Sequence, residues 1–290
     1  MMSTTGSGLK IRPLGRAADY EAVLDIQRRA WGHGETDVTP EHLFRITVRL
    51  GAILLGGWVG NRLAGFVYSF PAVFDGRGVQ HSHLLAVLPE YQGRGLGKLL
   101  KWAQRDRAVE LGYELMTWTF DPLKARNANL NLHTLGAVTR TYWPDLYGSQ
   151  QALVVGPGVK TDRFLVEWAI RSRTVERRRE GLGEMTAPSG AARALAARHA
   201  DRAHGARAGE AEAAPPPLPG NPDLTLGDKL ILAEIPRSVD SLKSRPEAIA
   251  AWQRRLRTVL GHYLGRGYVV VDFIFGDRCF YVLRRGPSQG

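Results

Sequence analysis

The stretch PEYQGRGLGKLLKWAQRDRA, residues 89–108, decides how this sequence is interpreted. Gly93, Gly95 and Gly97 come immediately before a segment whose apolar residues have helical spacing. The first turn of a helix has backbone N–H groups without internal acceptors, and glycines let a ligand approach them closely. A glycine turn that opens a helix therefore predicts an anion site, usually for phosphate. An ordinary loop with a capped helix is the alternative, and the neighbouring segments must decide between the two.

Those segments predict a mixed α/β fold, with a central mixed sheet flanked by helices. A strand over 9–15 is followed by a helix and then by a second helix, with Thr39 as its N-cap and Pro40 as its first residue. Two apolar runs around a Gly60-Asn61 turn predict a hairpin. After the glycine turn, the pattern predicts a helix to Gly112, a strand over 113–122, a helix over 124–136 and two more strands within 137–170.

The strand before the glycine turn, VQHSHLLAVLP over 79–89, has a period of two. This alternation predicts one face with His81, His83, Leu85 and Val87 and another with Ser82, Leu84 and Ala86. Both histidines therefore become candidates for a single site.

The domain organisation follows from a change of composition. A first domain is predicted over 9–171, followed over 172–222 by an Ala-, Arg-, Gly- and Pro-rich linker that is helical at most over 191–200. A block over 223–286 has the order strand, helix, strand, strand, which repeats the order of 113–170. We interpret this block as a half unit that extends the first domain or packs against it, and an unrelated tail is the alternative.

Composition excludes several classes of protein. The single cysteine, Cys279, excludes an internal disulfide framework and a cysteine-based zinc site, and we expect it to be a buried strand residue. No apolar run approaches the roughly 20 residues that span a bilayer, and the first residues lack a signal-peptide core, so a cytoplasmic protein is expected. The net charge of +11 fits a nucleic acid or a phosphate-rich small ligand, but the arginine-rich run of the linker lacks the pattern of a recognition helix, which argues against nucleic-acid binding. The abundance of Arg and Ala is typical of a bacterial coding bias.

The segment HLLAVLP followed by EYQGRGLGKLL resembles the GNAT superfamily of N-acyltransferases. Its pattern Q/R-x-x-G-x-G/A is met by Gln92, Gly93, Arg94, Gly95, Leu96 and Gly97, and its lead-in by Val87, Pro89 and Tyr91. The order of elements agrees over 9–170. The resemblance implies a bacterial stand-alone member with a C-terminal extension, which binds acetyl-CoA or another acyl-CoA such as succinyl-CoA and needs no metal.

The resemblance also implies where the coenzyme binds. The backbone N–H groups of Arg94, Gly95, Gly97 and Lys98 would meet the pyrophosphate, with Gln92 opening the turn. The pantetheine arm would follow Leu85, Ala86 and Val87, and the N–H of Leu85 would stabilise the oxyanion. Asn127 and Asn129 contact the coenzyme or cap a helix. We expect Lys101 to lie on a solvated helix face.

The acid and base are less defined by the resemblance. His81 or His83 is the candidate base, and a buried histidine without a chemical role is the alternative. Many relatives have a tyrosine that acts as the general acid at the position of Leu132 in this sequence. The alternatives for the group that protonates the leaving thiolate are His133, Tyr142 and Tyr147. Arg140 and Arg126 are candidates for binding carboxylates or the coenzyme phosphate.

The predicted function is direct transfer of an acyl group, most simply acetyl, from acyl-CoA to the amine of a small molecule or an amino acid. A succinyltransferase, a protein or peptide N-acetyltransferase and a non-catalytic CoA-binding module are the alternatives. No membrane partner is expected, and a homodimer stays open.

Overall fold

The computed structural model describes residues 3–5, 8–31, 38–148, 159–182, 190–198 and 217–286. The helices are α1 Ala17–Trp31, α2 Glu41–Arg49, α3 Leu96–Glu110, α4 Ala125–Ala128, α5 Arg173–Arg179 and α6 Pro246–Gly265. A π-helical segment, Asn129–Thr134, continues α4, and 3₁₀ turns cover Pro89–Tyr91 and Val239–Leu242.

The strands follow the predicted order closely. They are β1 Ser3–Thr5, β2 Leu9–Pro13, β3 Ile53–Val59, β4 Arg62–Phe74, β5 Arg77–Val87, β6 Leu115–Phe120, β7 Val138–Trp143, β8 Arg163–Ala169, β9 Ala192–Leu195, β10 Ala197–Arg198, β11 Leu218–Pro219, β12 Leu230–Ile235, β13 Tyr268–Phe275 and β14 Cys279–Arg285.

The chain forms two compact units. The first consists of Met1–Trp118 and Glu167–Arg179, and the second of Thr119–Val166 and Glu180–Gly290. The domain boundaries expected near residues 171 and 222 stay predictions.

The first unit has a mixed sheet in the order β1-β2-β3-β4-β5-β6. Strands β1 to β5 pair antiparallel with their neighbours, whereas β6 pairs parallel with β5. The predicted hairpin is confirmed, since β3 and β4 are joined through Gly60 at a φ of +58°, a value that glycine adopts readily. The sequence-based prediction of a mixed α/β fold is therefore confirmed.

Successive glycines of β3 let helices approach both faces of this sheet. A Cβ on Gly56 would lie 2.6 Å from Leu14 Cδ2, whereas a Cβ on Gly57 would lie 2.6 Å from Leu96 Cδ1 of α3. Since successive strand residues face opposite ways, α3 covers one face. On the other face, α1 and α2 contribute to a core that includes Ile26, Phe44 and Phe66.

The predicted cap of α2 is wrong. Pro40, not Thr39, is the N-cap residue, with an extended backbone and no side-chain cap bond. Thr39 is held by Gln27 of α1, whose Oε1 accepts the Thr39 N–H at 2.9 Å and whose Nε2 donates to the Thr39 carbonyl at 3.3 Å. The tertiary contact with α1 therefore replaces the local cap.

The second unit has strands in the order β8-β7-β13-β14-β12-β9, where β8 contributes residues 163–166. The strand, helix, strand, strand order predicted for the C-terminal block is confirmed by β12, α6, β13 and β14. Cys279 is buried in β14, as predicted. A helix over 191–200 is wrong for Ala192–Leu195, because this segment pairs parallel with β12 and buries Ala194 and Leu195.

Two kinds of feature are absent from the described residues. No helix among them is long and apolar enough to cross a membrane. Within the same ranges, no group of three or more His, Cys, Asp or Glu side chains is arranged to hold a metal ion.

Candidate active site

The glycine turn leads directly into α3. Gly95 is the N-cap of this helix at a φ of +80°, and Gly93 has a φ of +74°. Both values lie in the left-handed region, which other residues adopt only with strain. A Cβ on either glycine would meet nothing within 4 Å, so the conformation, not crowding, requires glycine at these positions.

This turn presents a row of unused hydrogen-bond donors. The N–H of Leu99 is the first in α3 to have an acceptor, the Gly95 carbonyl at 3.1 Å. In the described part of the chain, the backbone N–H groups of residues 93–98 have no protein acceptor. The positive end of the helix dipole and the side chains of Arg94 and Lys98 add to their attraction for an anion. The geometry fits a phosphate or pyrophosphate group.

Gln92 links the glycine turn to the end of β5. Its Nε2 donates to the Val87 carbonyl at 2.9 Å. Leu88 donates its N–H to the carbonyl of Ala64 near the beginning of β4, and N–H groups alternate in direction along a strand. The N–H groups of Leu85 and Val87 therefore point away from β4.

Strands β5 and β6 form a fork on that side. Their pairs are Gln80 with Met116 and His81 with Thr117. Within the described chain, residues 84–87 have Cα partners on β4 alone. The backbone of Leu85 and Val87 is thus open to a ligand that enters between the strands.

A β-bulge at His83 changes the predicted faces of β5. Leu84 pairs with Tyr68 and Ser82 with Ser69, so His83 is an extra residue without a Cα partner. The prediction that Leu85 shares a face with the histidines is wrong. Leu85 lies towards α3, since a Cβ on Gly97 would be 3.9 Å from Leu85 Cδ2.

The two histidines do share a face, beside an aromatic cluster. The ring of Phe70 lies 5.5 Å from that of His81 and 5.7 Å from that of His83. His81 Nδ1 lies 3.0 Å from Thr117 Oγ1, which fixes the imidazole at the apex of the fork.

Their surroundings favour neutral imidazoles. Burial, together with the positive charges of His83 and Lys101, lowers the pKa of His81 to about 4. His83 is more exposed, but partial loss of water also lowers its pKa. Both rings are therefore uncharged near neutral pH and have a nitrogen able to accept a proton.

The expectation of a solvated Lys101 is wrong. Its side chain is only 2% exposed, and its Nζ donates to Ser82 Oγ at 2.9 Å and to Gln104 Oε1 at 3.0 Å. The Nζ also lies 3.8 Å from the ring centre of Trp118. Burial lowers the pKa of Lys101 to about 7.

The sequence holds a signal for this cluster that the expectation of a solvated helix face overlooked. Leu96, Leu100 and Ala108 form a buried stripe at intervals of four residues, and Gln104 is a polar residue on the same stripe. A polar side chain at such a position predicts a buried polar partner.

The other candidate residues belong to the second unit. The Tyr142 hydroxyl donates to Asp162, and burial and this carboxylate raise the pKa of Tyr142. Its proton is thus engaged by a buried carboxylate. Leu132 is a core residue, and Asn127 is exposed without capping a helix.

Further candidates lie in the same unit. His133 Nδ1 is 3.0 Å from Asp272 Oδ1, and the hydroxyl of Tyr147 is 3.1 Å from Thr119 Oγ1. Arg126 and Arg140 are exposed.

Several solved acetyltransferases are similar to this chain. The ribosomal-protein-S18-alanine N-acetyltransferase of Escherichia coli is 20% identical, with a TM-score of 0.46 over 57% of this chain and 95% of its own. The Salmonella typhimurium protein yncA, solved with acetyl-CoA, is 21% identical, with a TM-score of 0.47 over 63% and 99%. A GNAT-family acetyltransferase of Streptococcus pneumoniae is 16% identical, with a TM-score of 0.45 over 55% and 98%. Among curated proteins, none matches the chain.

A family model gives the assignment. The model of the acetyltransferase (GNAT) family matches residues 20–136, a range that contains the glycine turn, the bulged strand β5 and the fork. The resemblance carried by Gln92 to Gly97 is therefore confirmed. Over residues 20–136 this chain matches the acetyltransferase (GNAT) family.

Proposed function

We propose that the first unit binds an acyl-CoA and transfers its acyl group directly to an amine. In this proposal the N–H groups of Arg94, Gly95, Gly97 and Lys98 bind the pyrophosphate, and the pantetheine arm follows Leu85–Val87. The proposal depends on one observation: the backbone groups without protein partners at the glycine turn lie next to those at the open edge of β5. The unused N–H row of residues 93–98 is tied by Gln92 to the edge of β5 that the fork exposes.

The same geometry suggests how the chain assists the reaction. The Leu85 N–H points away from β4, and in the proposal it donates to the carbonyl oxygen as that atom gains charge. His81, held by Thr117, accepts the proton of the amine directly or through water. Its lowered pKa makes it a weak base that is neutral and available at all pH values near 7.

The preferred donor is acetyl-CoA, and the preferred acceptor is a small amine or an amino acid in the cytoplasm. Succinyl-CoA as donor, a protein or peptide as acceptor, and binding of CoA without catalysis are the alternatives. They differ in donor affinity and in whether an amine releases free CoA, so both quantities belong in the test.

The test is calorimetric titration of the purified protein and of Gly95→Glu with acetyl-CoA and succinyl-CoA. A carboxylate at the N-cap of α3 repels a pyrophosphate, so we expect a loss of at least about 100-fold in affinity. Gly112→Glu is the matched control, because Gly112 lies just beyond the other end of α3 at a φ of +88° with open space around it. The Gly112→Glu variant has the same backbone strain and the same added negative charge as Gly95→Glu, but at the opposite end of α3 from the glycine turn.

The outcomes separate the alternatives. Equal affinity of both variants for acetyl-CoA would contradict the site. Tighter binding of succinyl-CoA than of acetyl-CoA would make succinyl-CoA the preferred donor. CoA binding without thiol release from acetyl-CoA by amino acids, small amines or peptides would favour the non-catalytic module.

A further inference from the structure

The buried Lys101 lies at the apex of the fork and contacts both of its strands. Its Nζ bonds to Ser82 of β5, the residue between His81 and the bulged His83. The same atom lies over the ring of Trp118, which follows Thr117 of the last β5–β6 pair. The ammonium group is thus placed where the two strands begin to separate.

This ammonium has no carboxylate beside it in the described part of the first unit. The groups around it are Ser82 of β5, Gln104 of α3, Trp118 of β6 and Trp168 of β8, all of them uncharged. His81, whose pKa the charge of Lys101 helps to lower, is itself neutral near pH 7. Arg105 of α3 has its own partners, Asp106 and Glu176.

An isolated buried charge destabilises a fold unless a partner compensates for it. Gln104 turns its amide oxygen, not its nitrogen, towards Nζ, and Ser82 also presents its oxygen. These neutral acceptors orient the ammonium but supply no negative charge. Below about pH 7 Lys101 therefore places at the fork a positive charge that the described part of the first unit does not balance, and a bound anion would extend the charged form to higher pH.

This inference rests on the proposed function. We propose that the Lys101 ammonium stabilises the negative charge that develops on the sulfur of coenzyme A as the acyl group leaves. The amine nitrogen forms a bond to the carbonyl carbon, the C–S bond breaks, and its electron pair stays on sulfur. The amine proton passes to His81 or water. Lys101 forms no bond in this step and acts through its charge in a site of low polarity.

The experiment measures the thiol of bound coenzyme A, so it does not require the acceptor. Reduced coenzyme A is bound to the wild type, to Lys101→Met and to Lys10→Met, and the thiolate is followed by its ultraviolet absorbance from pH 6 to 10. Methionine fills the space of Lys101 without charge. Lys10 is an exposed lysine of β2 in the same unit, so its replacement controls for net charge.

We expect the thiolate of the wild-type complex to form about one pH unit lower than in Lys101→Met, a tenfold change in thiol acidity. Lys10→Met should match the wild type. Lysine and thiol titrate as a pair, so the fraction of thiolate at each pH is the quantity compared. A second measurement needs no variant: the NMR titration of Lys101 should move to higher pH when coenzyme A binds, since coupling is reciprocal.

Each result decides something. Binding of coenzyme A with identical thiolate curves in the three proteins, or an unmoved Lys101 titration, overturns the role of Lys101 and leaves the proposed function standing. Failure of the wild type to bind coenzyme A overturns both. If Lys101→Met does not fold, the NMR titration of the wild type decides alone.

Discussion

The two units differ in the partners that they provide for a buried ionisable side chain. In the second unit, Asp162 is 1% exposed and accepts hydrogen bonds from Tyr142, the Asp145 N–H and Arg257, whose Nη2 lies 2.6 Å from Oδ1. In the first unit, Lys101 is as deeply buried but has only neutral acceptors.

The difference teaches which charge serves the fold and which is available for a ligand. A carboxylate held by a bidentate arginine and further donors is satisfied within the protein. An ammonium without a counter-charge lowers stability, and its retention calls for another explanation. Substitutions in the two units test this contrast, and the largest effect is expected in the second unit.

Replacing Arg257 by methionine should destabilise the protein by about 3 kcal/mol, because the buried Asp162 would lose its cationic partner. The free energy of unfolding from urea titration at pH 7 measures this. Arg255→Met is the control, an exposed arginine on the same helix, and should change stability by less than about 0.5 kcal/mol. Equal effects of the two variants would mean that Asp162 does not depend on the ion pair.

Replacing Lys101 by methionine should instead stabilise the protein at pH 6, by about 1–3 kcal/mol, because a buried uncompensated charge is removed. Folding lowers the pKa of Lys101 from its ordinary value of 10.5 to about 7. Between these values the unfolded chain binds a proton that the folded chain lacks, so wild-type stability rises with pH.

The advantage of Lys101→Met should therefore be greatest below pH 7 and shrink towards pH 9. Urea unfolding of both proteins at pH 6, 7, 8 and 9 gives this difference. A difference that is independent of pH, or a variant less stable at pH 6, would show that the charge of Lys101 is compensated in the fold.

The smallest effect concerns His81. With its pKa lowered to about 4, its ring signals should not titrate between pH 8 and 5.5 in NMR spectra of the folded protein. In urea it should titrate near pH 6.5, the value of an unperturbed histidine. The folded state then binds fewer protons than the unfolded state between about pH 4 and 6.5, so acid lowers stability in this range.

Lys101→Met should raise the pKa of His81 slightly, because the positive charge of Lys101 contributes to lowering it. The same NMR titration of the variant measures this shift. An unchanged or lower His81 pKa in the variant would contradict the coupling between the two groups.

Much of the fold follows from local patterns. The glycine turn, the strand before it and the helix after it have strong signals, since Gly93 and Gly95 need a backbone that other residues avoid. The hairpin at Gly60 and the strand, helix, strand, strand order of the C-terminal block are equally clear. These elements depend on neighbours in sequence.

The predictions that are wrong concern residues whose conformation or burial depends on neighbours in space. Thr39 satisfies every local rule for a cap but bonds to Gln27 of another helix. Ala192–Leu195 has helical composition but pairs with β12. Lys101 has the residue type of a solvated surface, and only the fold shows that two tryptophans cover it.

In the segment after β6, the sequence predicts a helix but not its type. The predicted helix over 124–136 begins as α4 but continues as a π-helical segment over Asn129–Thr134, where Leu135 donates its N–H to the Leu130 carbonyl. One inserted residue separates the two kinds of helix, and residue periodicity does not reveal it.

The bulge at His83 adds one side chain to β5 without reversing the rest of the strand. Because Ser82 and Leu84 pair with the consecutive β4 residues Ser69 and Tyr68, they already face opposite ways, and deletion of His83 would leave a regular ladder with the same partners. Ser82 would stay on the face of Lys101 and His81 on the face of Phe70. The strand would lose only the second histidine beside Phe70. The extra residue thus enlarges the polar surface of one face of the sheet while the hydrogen-bonded frame on both sides of it keeps its register.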